Sequence, residues 1–296
     1  MAFNLLMILL TLLMLSILVV VHEFGHYIAA KKMGVFVEEF SIGMGPLVFS
    51  KQGKETQFSI RALPLGGFCK MRGEGDAEDV SETAVEGKDT LAESEALSLK
   101  KAENTEQMAP DGNGGSLQNA HQSDDPGSFA NKSKGQRFVI LVAGAAMNIL
   151  FAFVLLIVVF LIRGANPVQA LANAAVSTVN FAGAIYQSLY MLVTGQVGMN
   201  EMAGPIGMVS MVHDFFQYGA VTLMTFTALI SVNLGVINLL PLPALDGGQI
   251  FIIIIEKIVR RDLDPRKANM INYIGFMALM ALAVVIAVND VLRIIG

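Results

Sequence analysis

The sequence predicts an α-helical polytopic membrane protein: four transmembrane helices, a membrane-associated β-hairpin or sheet element, and an interfacial helix. Three observations predict it. Of 296 residues, 54% are hydrophobic and only 15% charged, whereas globular chains run roughly 45–50% apolar and about a quarter charged. Ala2–Val21, Phe138–Ile162, Phe215–Leu245 and Ala268–Asn289 contain no Asp, Glu, Lys or Arg, and each is long enough for the ~20 residues that cross a hydrocarbon core as a helix. Basic residues are also unevenly placed, with seven in 31–73, five in 246–267 and none in 164–214. A soluble enzyme, a disulfide scaffold (Cys69 is the one cysteine) and a disordered chain are all excluded. The formal charge of −5 is dominated by one acidic stretch and argues for no anionic partner. The bilayer is the expected partner, and nucleic acid is not.

Cytoplasmic loops carry the excess of Lys and Arg. That places 31–137 and 246–267 inside, with 164–214 and both termini outside, as a multi-pass protein of the inner (cytoplasmic) membrane. Residues 1–73 hold the first span and a β element. Ala2–Val21 lacks the basic start and small-residue cleavage site of a signal peptide, so it reads as a retained helix. Phe58, Ile60 and Ala62 alternate with polar neighbours as a half-buried strand does, and Pro64 with Gly66-Gly67 supplies a turn. Residues 74–136 carry fourteen acidic against five basic residues and few large apolar ones. Such a stretch buries too little to offset its ordering entropy, so it is expected to be a mobile cytoplasmic loop, with His121 inside it.

The second span occupies 137–163. Residues 164–214 are apolar at Phe181–Val193 but diluted by Asn173, Asn180 and Gln187, as suits an interfacial helix. A fifth span here would turn the basic 257–267 loop outside, against the charge rule. The third and fourth spans lie in 215–296.

The chemistry begins at the end of the first span, in His22-Glu23-Phe24-Gly25-His26. Residues four apart share a helix face, so the two imidazoles converge on one point, and Glu23 stands beside them as a general base for a metal-bound water. Ionisable groups within membrane reach are functional by default. A catalytic zinc site takes three protein ligands, and the abrupt carboxylate is Asp246, which ends the uncharged run as NLLPLPALDGG. Pro241 and Pro243 break the helix there, and broken backbone at membrane depth lines protein or a wet cavity. Taken alone, Asp246 also fits a helix-capping turn.

HEFGH with NLLPLPALDGG resembles the site-2 protease family of intramembrane zinc metalloproteases, in particular its RseP-like bacterial branch. SIGMGP at 41–46, PLGGFCKM at 64–71, FANKSKGQRFVILVAG at 129–144 and AGPIGM at 203–208 are similar too. The resemblance implies that His22, His26 and Asp246 hold Zn2+ and that Glu23 is the catalytic base. It implies that Asn238 orients substrate or polarises its carbonyl, with Asn148 a second such asparagine, although the usual proline before it is Ala145 here. It assigns the 58–71 hairpin as a re-entrant element that receives substrate as an added strand, at Ile60 or Ala62, with the Gly43-Met44-Gly45 loop as its companion. The implied substrates are single-span membrane proteins, such as anti-sigma factors or remnant signal peptides. The branch usually carries PDZ domains outside after the second span, and about 50 residues there leave no room for one. A membrane metal transporter, or a catalytically silent scaffold, is the rival reading of the same residues.

Overall fold

A computed structural model describes residues 5–74, 125–196, 204–261 and 263–295. Among these residues there are seven helices and one two-stranded sheet: α1 (Leu5–Lys32), β1 (Val37–Gln52), β2 (Gln57–Met71), α2 (Lys134–Ile162), α3 (Pro167–Val193), α4 (Pro205–Gln217), α5 (Ala220–Asn238), α6 (Asp246–Val259) and α7 (Pro265–Ile295). Among the described residues, five helices are long and apolar enough to cross a membrane. They are the four expected spans and α3. The expected interfacial segment forms a 27-residue helix because Asn173, Asn180 and Gln187 interrupt its apolar character without breaking the helix.

Lipid tails are as apolar as leucine, so spans associate through close packing and hydrogen bonds rather than the hydrophobic effect. The chain supplies small residues where helices meet. On α1 the buried positions Met7, Thr11, Met14, Leu18, His22, Gly25, His26 and Ala29 recur every three or four residues as one stripe. From His22 to Ala29 it lies against Ile140, Leu141, Gly144 and Asn148 of α2, whereas Met14 packs with Val212 of α4 and Phe226 of α5. A Cβ on Gly25 would stand 2.3 Å from the Ala143 carbonyl oxygen, so only glycine permits this crossing. On the other flank of α2, Ala152 and Leu156 pack with Ala174 and Ile185 of α3 and with Ala228, Val232 and Val236 of α5. Ser133 and Gln136 close a capping box at the start of α2, satisfying N–H groups that the helix leaves free.

The sheet is more folded than a simple hairpin, because each strand bends and pairs twice. Residues 37–42 lie beside 67–71 on one side and 57–60 on the other, and 57–60 pairs again with 49–52. The segments therefore run in the order 47–52, 57–61, 37–44, 67–71. Gly43 and Gly45 make the bend in β1 at φ 87° and 86°, a left-handed backbone that favours glycine. Ile42, Leu47, Val48, Phe49, Ile60 and Leu63 are exposed, a patch that suits lipid better than water. Within it, Arg61 donates to both Glu39 carboxylate oxygens at 3.0 and 3.1 Å and to the Gly45 carbonyl at 3.1 Å.

Most of the expected acidic loop, 75–124 with His121, lies outside the described residues. The rest of it is ordered. The Phe36 N–H donates to the Gly127 carbonyl (2.8 Å) and the Phe129 N–H to that of Arg72 (2.7 Å). Phe129 is buried with Val35, Val37, Met71, Ile140, Leu141, Ile250 and Ile253, because its ring fills the gap that α1, α2, α6 and the sheet leave between them.

Helix α7 is attached differently. At one end the Ala244 N–H donates to Asn272 Oδ1 (3.4 Å), and a Cβ on Gly275 would meet Pro243 at 2.2 Å. At the other, buried Asp290 accepts the N–H groups of Gly204 (3.2 Å) and Gly207 (2.9 Å) at the start of α4. None of the apolar stretch between is buried.

Candidate metal centre

The helix pattern carries His22 and His26 to the buried face of α1. Asp246 arrives by another route. The chain turns back after α5 through 239–245, with Ala244 at φ 69°, and α6 starts at Asp246 itself. That return is tight enough that a Cβ on Gly247 would sit 2.0 Å from the Leu240 carbonyl oxygen and one on Gly248 2.3 Å from that of Leu242. The two glycines after the aspartate are therefore a packing requirement.

Three ligand atoms meet. Asp246 Oδ2 lies 2.9 Å from His22 Nε2 and 3.2 Å from His26 Nε2, and the two Nε2 atoms are 3.1 Å apart. A neutral imidazole carries its proton on one nitrogen. His26 Nδ1 stands 2.9 Å from the Ile140 carbonyl oxygen, which accepts from it, so His26 Nε2 presents a lone pair. Asp246 Oδ2 is buried without a hydrogen-bond partner. The three atoms are close enough together to hold one metal ion. The spacing fits, since ligands held at ~2.0–2.1 Å on a tetrahedron are about 3.3 Å apart. His22, His26 and Asp246 form the one such group among the described residues.

The approach of α2 completes the cradle. A Cβ on Gly144 would lie 2.4 Å from His26 Nε2 and 2.8 Å from His22 Cε1. Glu23 is half-buried and its carboxylate faces the Cys69 backbone N–H of β2. Asn238, also half-buried, places Nδ2 3.3 Å from His22 Nε2 and 3.5 Å from His22 Nδ1. Asn148 Nδ2 is 3.4 Å from His22 Nδ1. Glu74, just past β2, feels His26, Asp246 and Glu23 electrostatically, and loss of water contact pushes its carboxyl up to about 7.

Four predicted residues lie elsewhere. Gly43 and Gly45 shape the bend of β1. Ile60 is interior to the sheet, paired with both Ile42 and Phe49, so it offers no free edge, and Ala62 is exposed at the bend of β2. Asn148 is wholly buried and has no surface to give a substrate. Sequence reasoning missed Gly25, Gly144 and the Ile140 carbonyl. The small residues of AGAAM were the available signal for Gly144, Gly25 stands inside HEFGH itself, and a backbone carbonyl leaves no signal.

Two imidazoles and a glutamate on a helix fit to cross a membrane, with a carboxylate brought to them by the short α6, define a metallopeptidase built among apolar helices. The chain belongs to peptidase family M50, whose model matches residues 10–282. It is 30% identical to a Clostridium perfringens protein that bears a provisional zinc metalloprotease name, over 95% of this chain and 97% of that one. It is 25% identical to the regulator of sigma-W protease RasP of Bacillus subtilis, over 93% and 96%. It is 24% identical to the zinc metalloprotease RasP of Oceanobacillus iheyensis, over 95% and 98%. The family match and these relatives bear out the resemblance read from the two metal motifs.

Proposed function

We propose that this peptidase cuts single-span membrane proteins within or beside their transmembrane segments, anti-sigma factors or remnant signal peptides being the implied classes. The chain is a zinc-dependent metalloprotease, as its family and relatives are. The observation that carries the proposal is the convergence of His22, His26 and Asp246 on one point between helices fit to span, with Glu23 alongside. A sigma-regulating substrate is supported by the name of the Bacillus subtilis relative.

Zinc held by His22, His26 and Asp246 supplies Lewis acidity that makes water nucleophilic near neutral pH. Glu23 takes the proton of the attacking water and returns it to the leaving amine. Asn238, half-buried beside His22, donates its amide N–H to the scissile carbonyl oxygen. A substrate helix must unwind first, and a strand edge offers it replacement hydrogen bonds. The edge that borders the site is Gly66–Cys69, where Gly66 and Gly67 lie beside Val19 and Val20 of α1 and Cys69 beside Glu23.

Four crossings with both termini outside are supported by the two ends of the 163–204 segment. Asn272 contacts Ala244 on the metal side, and Asp290 lies about 27 Å further along α7 at 1.5 Å per residue. Gly204, held by Asp290, thus shares a face with Ile162, the end of α2 far from Lys134. In this reading α3 begins and ends without changing the side on which the chain continues. Membrane-impermeant thiol labelling should reach Lys54→Cys from the cytoplasm and Gln169→Cys from outside, and the opposite pattern would invert the topology.

Glu23→Gln should keep one zinc per chain and lose cleavage of a reconstituted single-span substrate by at least about 10²-fold. Turnover near the native rate would sink the mechanism. In that silent variant, a photo-crosslinking phenylalanine analogue at Phe68 should capture substrate and one at Phe49 should not. Capture at Phe49 alone would move docking to the opposite edge.

A further inference from the structure

Asn148 is embedded between three helices. It sits on the buried face of α2 with no solvent exposure, and its backbone carbonyl accepts the Ser231 hydroxyl of α5 at 2.8 Å. Gly235 lets α5 come so near that a Cβ there would stand 3.6 Å from Asn148 Cβ. Among the described residues its side chain has one hydrogen-bonding partner, His22, whose Nδ1 is 3.4 Å from Asn148 Nδ2. Asn148 Oδ1 is buried with no partner.

The proton count on His22 settles what this contact is. Its Nε2 faces Asp246 Oδ2 and His26 Nε2, so a metal-binding His22 keeps its one proton on Nδ1. An N–H facing an amide N–H2 is donor against donor. Turning the amide over brings Oδ1 onto the imidazole N–H and ends the oxygen's isolation, and the two ends of an amide are close to isosteric. His26 is already held this way, with Ile140 of the same helix accepting its Nδ1–H. Asn238 does not compete for the role, because its Nδ2 stands nearly equidistant from both ring nitrogens and remains accessible for substrate.

We propose that Asn148 is a positioning residue that accepts the His22 Nδ1–H, fixing the tautomer and the aim of Nε2. It takes no part in binding substrate or an oxyanion. The proposal rests on the reading of His22 as a zinc ligand. Partners of this type generally tune metal affinity by 10–100-fold.

The test begins with the wild-type enzyme. It has four histidines, so 15N-histidine labelling of zinc-loaded protein in detergent resolves each ring. His22, assigned by its loss in His22→Gln, should show a protonated Nδ1 and a metallated Nε2, and coordination through Nδ1 would overturn the proposal. Asn148→Leu should then weaken zinc binding about 10–100-fold in chelator competition. Asn148→Asp, which restores an acceptor, should stay within about threefold of wild type. Equal affinity for Asn148→Leu and wild type, with zinc lost from His22→Gln, would sink the role of Asn148 and leave the metal site standing. Full zinc retention by His22→Gln would sink the metal site itself. Should Asn148→Leu fail to fold, Asn148→Asp decides: its stronger acceptor should move the His22 Nδ1–H proton resonance downfield, and an unmoved resonance would sink the role of Asn148.

Discussion

Helices α1 and α7 are both apolar and long enough to span, yet they are held in unlike ways. Along α1 a stripe of buried residues meets α2 backbone to backbone at Gly25 and Gly144, and His22 and His26 sit on that stripe. α7 touches the rest of the chain mainly at its two ends, Asn272–Gly275 and Asp290. Apolarity places a helix in a bilayer. Its small and polar residues decide how firmly it docks there.

That contrast makes Gly144 the most sensitive position. Gly144→Ala puts a methyl where both imidazoles now lie, 2.4 Å from His26 Nε2. Something must shift by roughly 1 Å, and misplacement of that size costs about 10²-fold in catalysis. Zinc content and cleavage should fall together. A Gly144→Ala enzyme with normal zinc and turnover would show that the α1–α2 contact is looser than drawn.

A smaller and separable effect belongs to Asp290. Asp290→Ala removes the acceptor for two backbone N–H groups, and hydrogen bonds to a charged group contribute about 1.5–3 kcal/mol each. Thermal unfolding in detergent should shift downward while zinc stays bound, because the lost contacts lie at the far end of α7. Asp290→Asn, with one oxygen left, should fall between. Zinc loss from Asp290→Ala would mean that the two helices are coupled after all.

The histidines and Glu23 were legible because i, i+4 spacing brings two ligands together within a single element. Asp246 was legible by its abruptness after 31 uncharged residues (215–245). The partners that orient the histidines were hidden, since they depend on which residue of α2 comes opposite which residue of α1. The sheet failed for a related reason. Alternation at Phe58, Ile60 and Ala62 marks a strand and says nothing of which edge is taken, and the doubling back of β1 at Gly43–Gly45 covers both sides of Ile60. Residues 125–133 were absorbed into the acidic loop because composition averages over a window, whereas Phe129 alone pins the segment.

Ile140 and Asn148 stand eight residues apart on α2, about 12 Å along one rigid rod, one beside each histidine. The two imidazoles are therefore not independent ligands. A bilayer of a different thickness, accommodated by tilting α2 against α1, turns both Nε2 atoms at once. The centre then behaves as a single mechanical joint, whose grip on its ion is set by the angle between two helices.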